Sequence, residues 1–322
     1  MLKLVLGASG SGKTTLLYAR IRARAEAGKH SILLVPEQFT SSTEARIYRE
    51  LGDALSGMVE SYSFTSLAEH ILAALGGAAV QTLTDAGRAV LVRRALEELQ
   101  DNVHYYYRHR RSAAFCQMAA ETIDELKSAG LSGQQLQELA RDCGTESGRD
   151  PADRLELAAD RLEAALARDE LPDFLREREV FIDEFDTFNA PKKRLMGAML
   201  AALPAVTVAL CEDGAPMQPG DLELFSGAKQ VAAQLRQLAR KNGAQVAAPE
   251  LLRRDLRHKD APGLAALTEL LETGSCTPPE SAPELRLFAA ASREEEARCA
   301  AAAIRRLMRQ GVRCGEIAEV CR

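Results

Sequence analysis

Residues 7–14 read GASGSGKT; the apolar run Leu2–Gly7 leads into them, and a helical spacing of apolar residues through Leu16, Leu17, Ala19 and Ile21 follows. The stretch matches G-x-x-x-x-G-K-[ST] at every fixed position, and the predicted strand–loop–helix context is the one this motif requires. Its chemistry follows from the residue types. Glycines let the backbone N–H groups of Gly7, Ala8, Ser9, Gly10, Ser11 and Gly12 converge on phosphate oxygens, and the helix start adds its positive dipole end. Lys13 is placed to reach the β and γ phosphates, Thr14 to hold Mg²⁺, and Thr15 continues the helix against the same ligand. ATP with Mg²⁺ is the expected cofactor pair.

A second stretch completes this reading. EVFIDEF, residues 179–185, is an apolar strand that ends in two carboxylates. Asp183 stands where a metal-binding acid is needed, and Glu184 is placed to orient or deprotonate an attacking water. An acidic turn after a strand is common by itself; the full phosphate loop upstream favours the functional reading.

Between these motifs the pattern changes character. The first ~75 residues alternate strand and helix, with SILLVPEQ (31–38) and MVESYSF (58–64) as further strands, the signature of a parallel α/β sheet. From Thr84 to about Arg168 the spacing is helical only, with helices expected at 85–99, 113–129, 132–141 and 152–166. Strand signals return at 179–185 and 205–213, with a helix over 192–202 between them. Helices follow at 228–241 and 262–271. The tail then reads strand–helix–strand: LRLFAA (285–290), 293–309, and EIAEV (316–320). The expected organisation is an α/β P-loop (RecA-like) domain over 1–80 plus 175–280, a helical subdomain over 81–174, and a second RecA-like unit beginning at 284–322 and incomplete there.

Composition narrows the class. Of 322 residues, 46% are hydrophobic and 27% charged, ordinary for a soluble globular chain. The net charge of −5 excludes a global basic field, so nucleic-acid contact would need a local groove. MLKLVLGASG does not read as a signal peptide, and no apolar run reaches the ~18 residues of a membrane helix. The seven cysteines, scattered with no CxxC pair, argue against zinc or a disulfide framework and fit a reduced cytoplasmic compartment.

Two other machines share the loop. GASGSGKTTLL resembles ABC ATPases, and LSGQQ (131–135) imitates their signature. It lies far upstream of Asp183, however, and Ser132 reads as a helix cap. A small-molecule P-loop kinase would leave the helical block and the second α/β unit as surplus.

The layout resembles superfamily 1 helicases, whose first RecA-like domain is interrupted by a helical subdomain. SREEEARCAAAAIRRLMRQGVRCGEIAEVCR resembles the UvrD-like stretch that opens the second motor domain; its closing Arg reaches the γ-phosphate in that family, and Arg322 falls there. Within the group, ILLVPEQFTSSTEARIYRELG and SYSFTSLAEHILAALGG are similar to AddB (RexB), the second subunit of the bacterial AddAB helicase–nuclease. That resemblance implies ATP-dependent resection of DNA ends in recombinational repair, a heterodimer with an AddA-type motor subunit, and DNA, single-stranded and duplex, as substrate. It also implies an iron–sulfur nuclease domain that lies outside these residues, so that these residues alone carry no nuclease and little ATPase activity. Segments after the second and third strands face single-stranded DNA in the family; here these supply Gln38, Thr40, Ser63, Phe64 and Thr65, with Tyr62 beside them. HYYYRHRR (104–111) is a basic, aromatic cluster suited to duplex contact. Two departures stand out. CEDGAP (211–216) replaces the family's Gly-Asp-x-x-Gln, which puts motor coupling in question and leaves a degenerate module that binds but does not hydrolyse ATP as the alternative. Glu184 stands where many members carry Gly.

Overall fold

The computed structural model describes residues 1–77, 84–98, 109, 111–131, 151–215 and 224–320. They form two compact units, Met1–Arg257 and His258–Arg322.

The first unit is built on a six-stranded sheet of β1 (Leu2–Gly7), β2 (Ser31–Leu34), β3 (Val59–Tyr62), β4 (Glu179–Ile182), β5 (Ala205–Cys211) and β6 (Glu250–Leu252), in the order β3-β2-β4-β5-β1-β6. Every pairing is parallel. The helices are α1 (Lys13–Glu26), α2 (Thr40–Leu51), α3 (Asp53–Ser56), α4 (Phe64–Leu75), α5 (Asp85–Glu98), α6 (Ala113–Ser128), α7 (Pro151–Ala167), α8 (Ala190–Ala202) and α9 (Ser226–Lys241).

The sheet is covered on both faces, which is why its strands are apolar at nearly every position rather than at alternate ones. The period of two then divides them between two cores. Leu2, Leu4 and Leu6, Ile32 and Leu34, Val180 and Ile182, and Val206, Val208 and Leu210 face one layer, with α4, α7, α8 and α9. Val5, Leu33, Phe181 and Ala209 face the other, with Leu17, Tyr18 and Ile21 of α1 and Ile47 of α2. At the amino ends of the strands, Arg24 ties these elements together. It donates to Glu179 Oε1 (2.9 Å), Ser31 Oγ (3.1 Å) and the carbonyl of Glu177 (3.2 Å).

The helical block differs from the sequence expectation. That expectation places α7 in a separate subdomain, but Leu155, Ala158, Ala159 and Leu162 lie in the same core as the sheet, against α4 and α8. An amphipathic stripe cannot reveal which neighbour it covers; here it covers the α/β layer. α5 and α6 pack on each other. Residues 132–141, including Ser132 and Gly133 of LSGQQ, lie outside the described residues.

The second unit begins at His258 rather than near 280. It contains α10 (Pro262–Thr273) and α11 (Arg293–Arg309). Glu284 accepts from the backbone N–H groups of Gly263 and Leu264 at the start of α10. Its own N–H and those bonds hold its carboxyl below the usual range. Ser292 caps α11 through Glu295 N (3.2 Å), with Glu294–Glu296 in the first turn and Arg306 and Arg309 in the last, as the helix dipole favours. The strands expected at LRLFAA and EIAEV do not form: 285–290 and 317–320 have no ladder partner, and Leu287 and Val320 are exposed. A strand is stable only when a neighbour takes its backbone hydrogen bonds.

Phe64, 2% exposed, stands edge-on to Phe185 and Phe188 with ring centroids 5.2 and 6.0 Å away, joining α4 to the turn after β4. Phe64→Ala is expected to destabilise the first unit by about 3–5 kcal/mol, read as a lowered midpoint in chemical denaturation.

Candidate functional site: a phosphate loop and a carboxylate pair on one sheet edge

All six strands run in one direction, so their carboxyl ends share one edge. Gly7 ends β1, and Ile182 ends β4 with β5 between them.

The loop after β1 needs its glycines. Gly10 (φ +82°) and Gly12 (φ +91°) adopt left-handed backbone, and Gly12 in that form starts α1 at Lys13. A Cβ at Gly7 would meet Ser11 Oγ at 2.4 Å and the Leu252 carbonyl at 2.7 Å. The cradle therefore has no room for side chains. Lys13 Nζ folds back to donate to the carbonyls of Gly7 (2.7 Å) and Ala8 (2.8 Å). Ser11 Oγ is buried with no hydrogen-bond partner among the described residues. A crowded glycine cradle, an orphaned hydroxyl and an ammonium folded onto its own loop suit a phosphate ligand, as the sequence reading expects of Gly7–Thr14. Thr15 is exposed on the outer side of α1.

Strand parity explains how Asp183 reaches this loop although β5 intervenes. Asp183 shares the parity of Phe181, so its side chain belongs to the α1 face. It is 6% exposed, its N–H donates to the Leu34 carbonyl (3.1 Å), and its Oδ1 accepts from Glu184 N (3.0 Å). A cavity of about 220 Å³ is lined by Thr14 and Tyr18 of α1, Ser42, Thr43, Arg46 and Arg49 of α2, and Asp183 and Glu184. The hydroxyl and the carboxylate expected to share Mg²⁺ thus face one space, and oxygen donors of this kind fit that ion.

Glu184 has φ +65°, left-handed backbone on a residue with a side chain. Partial burial, and then the Asp183 carboxylate, push its carboxyl above the usual range, while Arg46 draws it back down. Tyr18 is pushed up to about 12, chiefly by burial.

CEDGAP takes a different direction. Glu212 N donates to the Gly7 carbonyl (3.2 Å), so the segment begins beside the phosphate loop. Glu212 shares the parity of Val208 and Leu210, however, and its charged neighbours Arg236 and Lys229 belong to α9 on the opposite layer. It is 5% exposed, its Oε2 has no partner among the described residues, and burial pushes its carboxyl up. Asp213 pairs with buried Lys229 (3.1 Å).

Sequence reading missed three contributors. Arg46 and Tyr18 sit on helices whose charged and apolar spacing is ordinary. The third is the segment after β6. Leu256 N donates to the Gly10 carbonyl (3.0 Å) and Arg257 Nη1 to Ser9 Oγ (3.1 Å), so Arg257 lies on the phosphate loop. β6 is three residues long and carries no period, so nothing local announces it.

The nucleic-acid candidates lie at the same sheet edge, past β2 and β3. Gln38 is exposed in the turn Glu37–Phe39, and half-buried Thr40 donates to the Glu37 carbonyl (2.8 Å). Thr65 is half-buried at the start of α4. Two candidates are corrected. Ser63 is 5% exposed and caps α4, accepting from Ser66 N (3.1 Å), and Phe64 is core, so neither presents its side chain to a ligand. Of HYYYRHRR, only His109 and Arg111 are among the described residues, both exposed; Arg322 lies outside them.

Left-handed backbone at a residue with a Cβ costs about 1 kcal/mol relative to glycine. Glu184→Gly should therefore raise stability by up to about that amount in denaturant titration. For Glu212 the native state favours the protonated form, so stability falls as pH rises from the ordinary carboxyl range through its raised pKa. Glu212→Gln should remove that fall, with thermal melts of variant and parent converging at acid pH and the variant higher at alkaline pH.

No helix among the described residues is long and apolar enough to cross a membrane. The model of the family described as "ADDB, N-terminal" matches residues 4–156 and 144–268. Three relatives, each named as the B-type subunit of an ATP-dependent helicase/deoxyribonuclease, align over nearly the whole chain. That of Desulforudis audaxviator is 32% identical over 96% of this chain and 29% of its own length. That of Moorella thermoacetica is 31% identical over 96% and 29%, and that of Symbiobacterium thermophilum 30% identical over 100% and 30%. The chain thus spans less than a third of these relatives' length. With its phosphate loop, late carboxylate pair and parallel sheet, the chain belongs to the family of AddB N-terminal regions.

Proposed function

We propose that this region binds ATP with Mg²⁺ at the edge formed by Gly7–Thr14, Asp183 and Glu184, and serves as the helicase-like nucleotide-binding part of a protein that processes DNA ends. The observation that carries the reading is the shared cavity of Thr14, Asp183 and Glu184 beside a complete phosphate loop. The relatives' names support a place in a helicase/deoxyribonuclease assembly, with an AddA-type subunit as partner and DNA as substrate.

Each residue's part follows from its position. Backbone N–H groups of the loop and Lys13 hold the phosphates, with Lys13 exchanging the Gly7 and Ala8 carbonyls for phosphate oxygens. Thr14 and Asp183 would hold Mg²⁺, which when bound neutralises phosphate charge. Glu184, once ionised, accepts a hydrogen bond from water and takes its proton as it attacks. Arg257, already at Ser9, adds a cation on the loop's outer side. Gln38 and Thr40, with exposed Phe39 between them, offer polar and stacking contacts to a single strand.

A second reading has its own support. Glu212 stands where a γ-phosphate-sensing Gln is expected and belongs to the opposite layer, which favours a module that binds ATP without coupling it to movement.

The test is nucleotide binding and turnover in the full-length protein assembled with its partner, with and without single-stranded DNA. Lys13→Ala should weaken ATP binding at least about tenfold. Glu184→Gln should keep binding and lower turnover by about 10²-fold or more. Because the Glu184 carboxyl is raised, the parent's rate should fall on the acid side at a pH above that of an ordinary Glu. Normal binding with a rate unmoved by Glu184→Gln would leave the binding-module reading.

A further inference from the structure

We propose that Arg46 is a positioning residue of this site: from α2 it sets its guanidinium against the Asp183–Glu184 turn, balances the two carboxylates and holds Glu184 in the charged form that orients water. The proposal rests on the nucleotide reading above and names a group that neither sequence motif contains.

Arg46 lines the cavity that Thr14, Asp183 and Glu184 also line. Its guanidinium stands over the Tyr18 ring, 4.9 Å from the centroid, which fixes its plane between α1 and α2. Its Nε is buried with no hydrogen-bond partner among the described residues. A desolvated guanidinium nitrogen is costly unless charge of the opposite sign lies close by. Here that charge is the adjacent acid pair, and Arg46 is the group that lowers the Glu184 carboxyl against burial and Asp183. It acts on Tyr18 in the same sense, while Asp183 and Glu184 raise that phenol. The titratable and charged groups lining the cavity are Tyr18 from α1, Arg46 and Arg49 from α2, and Asp183 and Glu184 after β4. The carboxylates adjoin in sequence, and without a cation the second would hold its proton more tightly. A protonated Glu184 cannot take the proton of an attacking water.

The competing role is packing alone, with Arg46 serving as a cover on Tyr18. Two substitutions separate the roles. Arg46→Met keeps an apolar stem over the ring and removes the charge; Arg46→Lys keeps the charge and alters the fork. If Arg46→Met fails to fold, Arg46→Gln serves the same comparison. The measurements are affinity for a fluorescent ATP analogue and ATP turnover against pH. They use the full-length protein assembled with a partner subunit whose own nucleotide site is inactivated.

The expected result for Arg46→Met is analogue affinity within about twofold of the parent, and an acid limb moved up by about one pH unit, so that turnover falls about tenfold near pH 6.5 and much less near pH 8.5. Arg46→Lys should restore the limb. An unmoved limb, with the same loss at every pH, would mean packing alone and overturn the proposal while leaving the nucleotide reading intact. Absence of any Lys13-dependent turnover in the parent would remove both.

Discussion

Parallel pairing of β1 with β5, and of β5 with β4, is the constraint on which this molecule depends. It brings the carboxyl ends of strands 176 residues apart in sequence, Leu6 and Ile182, to one edge. Because each strand is buried on both faces, its register is set by two cores at once, and a slip of one residue would exchange them. That double burial makes the side-chain direction at each strand end predictable. Asp183 follows Phe181 toward α1, and Glu212 follows Leu210 toward α9. Two acidic strand ends on one sheet edge therefore belong to opposite layers, and the α1-side acid meets the phosphate loop.

Opposite ends of the sheet are treated differently. The amino ends are closed by Arg24, which joins α1, β2 and β4 through four hydrogen bonds. The carboxyl ends carry left-handed backbone at Gly10, Gly12 and Glu184, an unpartnered Ser11 hydroxyl, and a lysine turned on its own loop. Such features persist where rigid surroundings hold them, and they cluster where ligands act. Glu184 is the clearest case, since glycine would occupy its backbone conformation at lower cost. A carboxylate retained there despite strain is consistent with a chemical role for it.

The functional edge is also where α2 and the segment after β6 converge. α2 begins at Thr40, in the segment expected to touch nucleic acid, and carries Arg46 into the nucleotide cavity about two turns later. From the other side Leu256 and Arg257 lie on the loop at Gly10 and Ser9. Nucleotide arriving at the loop would meet elements from three parts of the first unit, an arrangement suited to relaying occupancy between them.

The phosphate loop, the Asp183–Glu184 pair, the alternating strands and helices, and the membership in a helicase–nuclease family were legible in the amino-acid sequence, because each is written in local spacing and residue type. GASGSGKT and VFIDEF name their chemistry without a fold. Three things were decided only by tertiary structure. Whether Phe64 stacks on a base or in the core depended on Phe185 and Phe188, which approach it from another part of the chain. Whether 151–167 forms a separate body depended on which surface its apolar stripe covers. Whether Arg46 and Arg257 belong to the site depended on the approach of α2 and on a three-residue strand finding β1. Local sequence specifies what each side chain can do, whereas proximity across long stretches of chain is set by the summed burial of the two cores, and no short window contains that sum.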